Sequence, residues 1–314
     1  MHAPLVNRRV IPPGATVSTG AFADGWPARR FDWPGEGRGT ILFLGGRGDI
    51  FEKYYEAFGH WHGQGWTIRS FDWRGQGGSG RLSASASTGH AASFAPWIDD
   101  LAHEHRALIA TADRPLVVIA HSMGGHLVLR ALIERRIEPA AVVMTAPMFG
   151  IPSRPFGPWL APRLAALLSR LTRPEHPAWK ANEKPAMPWE TRQRLLTHSS
   201  ERYQDELWWK EHDPAIALGP PSWHWVAEAY RSTRMTFEQG RIESVAVPML
   251  IIGTDADGLV APAAIRAAAG RLPDAELVMF GDEAAHEILR EEDPVRRQAL
   301  DCIDRFLDRR APRR

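Results

Sequence analysis

Leu116-Val117-Val118-Ile119-Ala120-His121-Ser122-Met123-Gly124-Gly125-His126-Leu127 is the stretch on which the fold turns. An unbroken apolar run ends in a serine flanked by small residues, and a leucine-rich amphipathic segment follows at once, through Ile133. Buried strand, tight turn with serine at its tip, then helix is the context of a nucleophile elbow. Such a turn strains the serine backbone and lifts its Oγ clear of the sheet. Ala120, Gly124 and Gly125 supply the small residues needed where strand and helix nearly touch. The helix N-terminus behind Ser122 favours negative charge developing beside it. A serine before an apolar run can also be a plain helix N-cap. The strand ahead of it and the helix behind favour the elbow.

Outward from this stretch the chain alternates. Short apolar runs at 40–44, 66–72, 116–120 and 141–145 read as strands, and 51–64, 94–111 and 124–135 read as helices. Strand–helix alternation predicts parallel strands with right-handed crossovers. Residues 1–38 read as an irregular segment or short β-hairpin. From Pro147 the rhythm breaks: prolines crowd the chain as far as Pro188, and helical patterns appear near 159–171, 189–199 and 221–237. Of the chain's 13 tryptophans, seven fall between residues 150 and 230, a composition shift that marks an insertion. The strand at 247–253, a helix near 262–271, the strand 276–280 and a helix at 294–309 then resume the core. The expected organisation is a core of residues 1–149 and 244–314 with a helical cap, or lid, of 150–243.

Composition excludes several classes. The 38 Lys and Arg nearly balance the 37 Asp and Glu, so the charge of +1 implies no nucleic-acid partner. The basic end, Arg309 to Arg314, would draw the chain only weakly toward anionic lipid heads. One cysteine, Cys302, rules out an internal disulfide and suits a reducing compartment. No apolar run approaches the roughly 20 residues that span a bilayer. The expectation is a soluble, cytoplasmic chain, at most peripheral to the inner membrane. The sequence does not set its oligomeric state.

A serine hydroxyl needs a base, and the base an orienting acid. After an elbow they follow in the order Ser, Asp or Glu, His, in loops behind the last strands. His286, in the loop 281–287, is the only histidine of residues 244–314. The preceding loop offers both Asp255 and Asp257. The N–H groups of Met123, just past the serine, and of Arg47, in the loop Gly45-Gly46-Arg47 after the first parallel strand, are the candidate oxyanion donors. The glycines there, Gly46 among them, let backbone approach a substrate. His121 and His126 abut the elbow and read as packed wall residues. The loop 72–79 lacks both phosphate-loop patterns and reads as a turn fixed by Asp72 and Arg74. His60 with His62, and His103 with His105, stand two apart and point to different helix faces. Without a Cys cluster or H-E-x-x-H they predict no metal, and nothing in the sequence calls for a cofactor.

These segments together resemble the α/β-hydrolases, and more narrowly the bacterial lysophospholipase L2 and monoacylglycerol lipase group. The resemblance rests on Gly45-Gly46-Arg47 with Glu52-Lys53-Tyr54, Phe71 to Ser79, Gly89-His90 with Asp99-Asp100, Ala120 to Gly125, Ala217 to Trp225, and His286-Glu287-Ile288-Leu289. It covers nearly all of the chain after residue 30. It implies a mostly parallel sheet flanked by helices with a helical cap, and a serine esterase that releases a fatty acid from a single-chain lipid, a lysophospholipid first. In such hydrolases the acid is often followed by one residue and then two aliphatics, as in Asp257-Gly258-Leu259-Val260, which favours Asp257 over Asp255. Gly46, His121, Trp208, Trp223 and Trp225 are then expected along the substrate channel. Alternatives are a monoacylglycerol lipase or short-chain carboxylesterase, a proline-type serine aminopeptidase using Glu190, Glu201 or Glu206 for the substrate amine, and a non-catalytic binding protein of this fold. Ser122 in place of a carboxylate excludes a dehalogenase or epoxide hydrolase.

Overall fold

The computed structural model describes residues 6–85, 87–153, 155–179 and 189–313. Along the chain run β1 (Thr16–Ala21), β2 (Pro27–Trp33), β3 (Gly39–Leu44), a 3-10 turn (Phe51–Tyr54) leading into α1 (Tyr55–His62), β4 (Trp66–Phe71), α2 (Ala95–Thr111), β5 (Leu116–His121), α3 (Met123–Ile133) and β6 (Ala141–Thr145). Then come α4 (Gly157–Leu171), α5 (Trp189–Leu196), α6 (Ser200–His212), α7 (Trp223–Thr236), β7 (Met249–Thr254), α8 (Pro262–Ala269), β8 (Ala275–Phe280) and α9 (Asp293–Arg310).

Every residue of β3, β5, β6 and β7 is buried, as unbroken apolar runs require when helices cover both faces of a sheet. The strands lie in the order β1-β2-β4-β3-β5-β6-β7-β8. From β4 to β8 all neighbours are parallel. The N-terminal segment forms a full antiparallel hairpin that continues the sheet through β2 and β4. This is the α/β-hydrolase arrangement.

Alternate residues of each strand feed two cores. Leu42, Leu44, Val118, Ala120, Val142 and Met144 pack with α2, α3, α7 and α8. Ile41, Phe43, Val117, Ile119, Ala141 and Val143 pack with α1 and α9. Each of the larger of these side chains contributes about 1.5–3 kcal/mol by leaving water. The central strands end together at the edge from which the elbow and the loops after β3, β7 and β8 project.

The insertion between β6 and β7 is helical, and α6 within it has no counterpart in the sequence reading. Its buried residues are Arg202, Tyr203, Asp205 and Glu206, so it shows no apolar stripe for periodicity to find. α7 packs Trp225, Val226 and Ala229 into the first core and also meets α4. Pro185 and Pro188 of the expected cap lie outside the described residues.

Candidate active site

β5 delivers Ser122 to the C-terminal edge of the sheet with φ 51° and ψ −118°, a conformation that side chains rarely take. Three backbone hydrogen bonds hold it there: Ser122 N–H donates to Thr145 O (3.0 Å), and Ser122 O accepts from His126 N–H (3.2 Å) and Met148 N–H (2.9 Å). A Cβ on Gly124 would sit 2.5 Å from Gly45 O, so only glycine lets α3 start this close to β3.

The loop after β8 brings His286 to the serine, with His286 Nε2 2.9 Å from Ser122 Oγ and Nδ1 2.7 Å from Asp257 Oδ2. The other oxygen of Asp257 accepts the N–H groups of Leu259 (2.8 Å) and Val260 (3.0 Å). Burial opposes the charge on Asp257, but the His286 charge and these hydrogen bonds outweigh it and hold its pKa below the usual value. For His286 too, burial works against the charged form; the charge and hydrogen bond of Asp257, with Glu287 and Asp49 behind, raise its pKa above 6.5. Asp255 stands apart: its side chain is 54% exposed and pairs with Arg266 at 2.6 Å. The geometry therefore joins Asp257, and not Asp255, to His286. Such a chain can pass the serine proton to the imidazole while the carboxylate stabilises the resulting cation.

Met123 opens α3, in the first turn, where N–H groups have no intrahelical acceptor. Facing it is the loop after β3. Gly46 N–H donates to Asp49 Oδ2 (2.7 Å) and Gly48 N–H to Gln76 Oε1 (2.6 Å), which fixes the backbone on either side of Arg47. Gly46 lies so close that an added Cβ would be 3.0 Å from Ser122 Cβ and 3.2 Å from His121 Cδ2.

These groups open into a cavity of about 320 Å³. Gly46, Arg47, His121, Ser122, Met123 and His286 line its floor, and Met148, Ile151, Leu195, Leu196, Leu218, Trp225, Leu259 and Val260 give it an apolar wall. His121 Nδ1 lies 3.1 Å from Thr145 O, and its ring centroid lies 4.8 Å from that of His286. Burial first, and the His286 charge second, lower its pKa to about 4, so it is a neutral wall. His126 is buried against Ser232.

Two expected channel residues fall elsewhere. Trp208 stacks on His212 at 3.9 Å beside Arg9, and Trp223 packs on the first core; neither is among the described lining residues. In α7, Trp223 and Trp225 are two positions apart, and a helix turns such neighbours to different sides. Trp208 lies on α6 beyond the reach of the pocket, a placement that composition cannot give. Conversely, a buried charge cluster in the cavity wall was missed. Lys53 Nζ contacts Asp49 Oδ1 (2.5 Å), Glu287 Oε1 (2.6 Å) and Glu206 Oε2 (3.1 Å). The i,i+4 spacings of Asp49 with Lys53 and of Glu206 with Lys210 were its only signal in the sequence. The 72–79 turn is fixed as expected: Asp72 accepts from Gly78 N–H (2.8 Å) and Arg29 (3.0 Å), while Arg74 pairs with Asp100. Among the described residues no group of three His, Cys, Asp or Glu could hold a metal, and no helix is long and apolar enough to cross a membrane.

Residues 35–293 match the sequence family described as "Serine aminopeptidase, S33". The chain belongs to this family of α/β-hydrolases. It is also 30% identical to lysophospholipase L2 of Escherichia coli K12 over 244 residues, 74% of this chain and 69% of that protein. Among solved structures this α/β-hydrolase resembles the monoglyceride lipase of Saccharomyces cerevisiae, in a soluble variant, with TM-score 0.76, 19% identity and 99% of each chain covered. It also resembles the monoacylglycerol lipase of Paleococcus ferrophilus, with TM-score 0.66 and 19% identity over 90% of this chain and 98% of that one. At these identities the two structures speak for the fold.

Proposed function

We propose that this α/β-hydrolase is a serine hydrolase of carboxylic esters that releases the fatty acid of a lysophospholipid. The observation that carries the chemistry is the hydrogen-bonded series Ser122, His286, Asp257 opening into a cavity with an apolar wall. Ser122 Oγ attacks the ester carbonyl carbon as His286 Nε2 takes its proton. The N–H groups of Met123 and Arg47 hold the oxyanion. The ester C–O bond then breaks, and His286 gives its proton to the leaving alcohol. Water, deprotonated by His286, releases the fatty acid from Ser122 and restores the enzyme. The kinship with lysophospholipase L2 supports a lysophospholipid as the ester.

An aminopeptidase, which the family's description names, needs a carboxylate free to meet the substrate's ammonium. Of the three candidates, Glu201 is 77% exposed and paired with Arg8, Glu206 is held by Lys53, Lys210 and Arg290, and the side chain of Glu190 lies outside the described residues. The described carboxylates of the cavity wall, Asp49, Glu206 and Glu287, are thus engaged by cations, which favours the ester reading. Peripheral contact with a membrane draws support from α4, whose Trp159, Leu160, Leu167 and Leu171 are exposed alongside Arg163 and Arg170.

The test is fatty-acid release from lysophosphatidylcholine and from monoacylglycerol, with Ser122→Ala as control. Release from the lysophospholipid that disappears in the variant is the expected result. Release from monoacylglycerol or short esters alone would keep the serine chemistry and discard the phospholipid. Undiminished turnover in Ser122→Ala would end the proposal.

A further inference from the structure

The mechanism above uses only the backbone of Arg47, yet its side chain enters the same cavity. There its Nη2 donates to Gly219 O, and its Cζ stands 5.4 Å from the Trp225 ring centroid. Its Nε is buried and finds no acceptor among the described residues. Trp225, 7% exposed and lining the same cavity, also keeps a buried Nε1–H without an acceptor among the described residues. Two orphaned donors thus belong to adjoining groups in one pocket. The neighbouring carboxylates do not answer them: Asp49 and Glu287 are held by Lys53, and Glu206 by Lys53, Lys210 and Arg290. Among the described residues Arg47 has no ion pair, and the charge acting on it most is the like charge of Arg192.

A half-buried cation without a counter-charge, and buried donors left unpaired, are costly in a resting protein. The cost is recovered when a ligand brings the missing acceptors. From these observations we infer that Arg47 and Trp225 form the site that binds the phosphate of the substrate's alcohol portion, and so make the enzyme select phosphate-bearing esters over neutral glycerides. A guanidinium suits phosphate because its planar donors meet two oxygens at once. The covalent lengths agree as well. In the mechanism proposed above, Arg47 N–H meets the reacting carbonyl and its guanidinium lies a side chain away; in a lysophospholipid the phosphorus lies a comparable number of bonds from the ester oxygen. Burial first, and Arg192 second, lower the Arg47 pKa to about 9, which leaves the group cationic at neutral pH.

The inference rests on the ester reading for its substrate, and the experiment separates the two. Calorimetric titration with glycerol 3-phosphate, with glycerol and inorganic phosphate as controls, reads the site without turnover. Binding of glycerol 3-phosphate but not glycerol is expected, weakened about ten- to a hundred-fold in Arg47→Met and measurably in Trp225→Phe, as loss of charge-assisted hydrogen bonds predicts. No binding, or binding that Arg47→Met leaves unaltered, overturns the site. Inorganic phosphate binding as tightly as glycerol 3-phosphate overturns its assignment to a headgroup. In turnover, the ratio of kcat/KM for lysophosphatidylcholine to that for a monoacylglycerol of the same chain should fall by a similar factor in Arg47→Met, through KM. The ratio cancels any disturbance of the oxyanion donors that both esters share; an unchanged ratio counts against the site. Normal titration without hydrolysis of either ester would sink the esterase and leave the anion site standing. Serine-dependent hydrolysis without phosphate selectivity would do the reverse.

Discussion

Asp255 and Asp257 carry the same carboxylate two positions apart, and their surroundings separate them. Asp257 gives one oxygen to His286 and the other to two backbone N–H groups, whereas Asp255 meets solvent and Arg266. Asp257→Asn should cut kcat by about three to four orders of magnitude by misorienting His286, with the fold retained. Asp255→Asn should stay within a few-fold of wild type, and the reverse pattern would reassign the acid. The pH profile follows from the same contacts. His286 must be neutral to accept a proton, and its pKa is raised above 6.5, so the acid limb of kcat/KM should lie alkaline of 6.5. Stability carries the opposite signs. The lowered pKa of Asp257 contributes stability above its unfolded value of 3.8 that is lost as pH falls through the folded one. The raised pKa of His286 contributes below 6.5 and is lost as pH rises through the folded value. Unfolding of Asp257→Asn should therefore depend less on pH at both ends. Ser122 itself is strained at φ 51°. Glycine accepts that conformation freely, so Ser122→Gly should be inactive yet more stable by about 1 kcal/mol, whereas Ser122→Ala keeps the strain. Equal melting temperatures for the two variants would show that the elbow stores none.

At the scale of elements, the elbow works because α3 starts against β3. Gly124→Ala puts a Cβ 2.5 Å from Gly45 O and 2.8 Å from Leu44 O, both backbone atoms that cannot swing aside. The helix must shift, carrying the Met123 N–H with it. A loss of about 2 kcal/mol or more in denaturant unfolding, together with a fall in kcat, is expected; an unaffected kcat would show that helix and oxyanion donor are not coupled. The same element explains what was legible. β3, β5, β6 and β7 are apolar runs because they are buried on both faces, and that pattern survives in one dimension. Ser122, His286 and the pair Asp255/Asp257 could be read from their positions after strands. The choice between the aspartates lies in which of them turns toward His286, a matter of loop geometry. α6 was illegible because its buried face is polar, satisfied by partners distant in sequence such as Glu56 for Arg202 and Arg8 for Asp205. Trp208 shows the converse: an aromatic inside the insertion need not face the cavity.

On the scale of the whole molecule, one lysine ties three distant segments to the site. Lys53 follows β3, Glu206 sits on α6 in the insertion, and Glu287 follows His286 behind β8; Lys53 Nζ touches a carboxylate oxygen of each of the last two and of Asp49. Asp49 in turn holds Gly46 N–H and Tyr54 OH, both at 2.7 Å. Burial opposes the lysine charge, but Asp49, Glu206 and Glu287 outweigh it and raise its pKa. One buried cation thus joins the insertion to both the loop after β3 and the loop after β8, beside the direct bonds of Glu287 N–H to Leu196 O and of Arg290 to Glu206. Lys53→Met removes that cation and leaves three carboxylates together; Arg290, Lys210 and Arg192 still reach Glu206 or Glu287, but among the described residues no other cation pairs with Asp49. Breaking a buried network in this way costs about 3–5 kcal/mol. The deficit should shrink as pH falls, because carboxylates without their lysine take up protons more readily in the folded state. Glu287→Gln placed on Lys53→Met should recover part of the loss, although Glu287→Gln alone destabilises. Denaturant unfolding of the four proteins at neutral and acid pH measures all three quantities. A deficit that ignores pH, or additive losses in the double variant, would mean that Lys53 fills space in the wall and does not join the insertion to the core by charge.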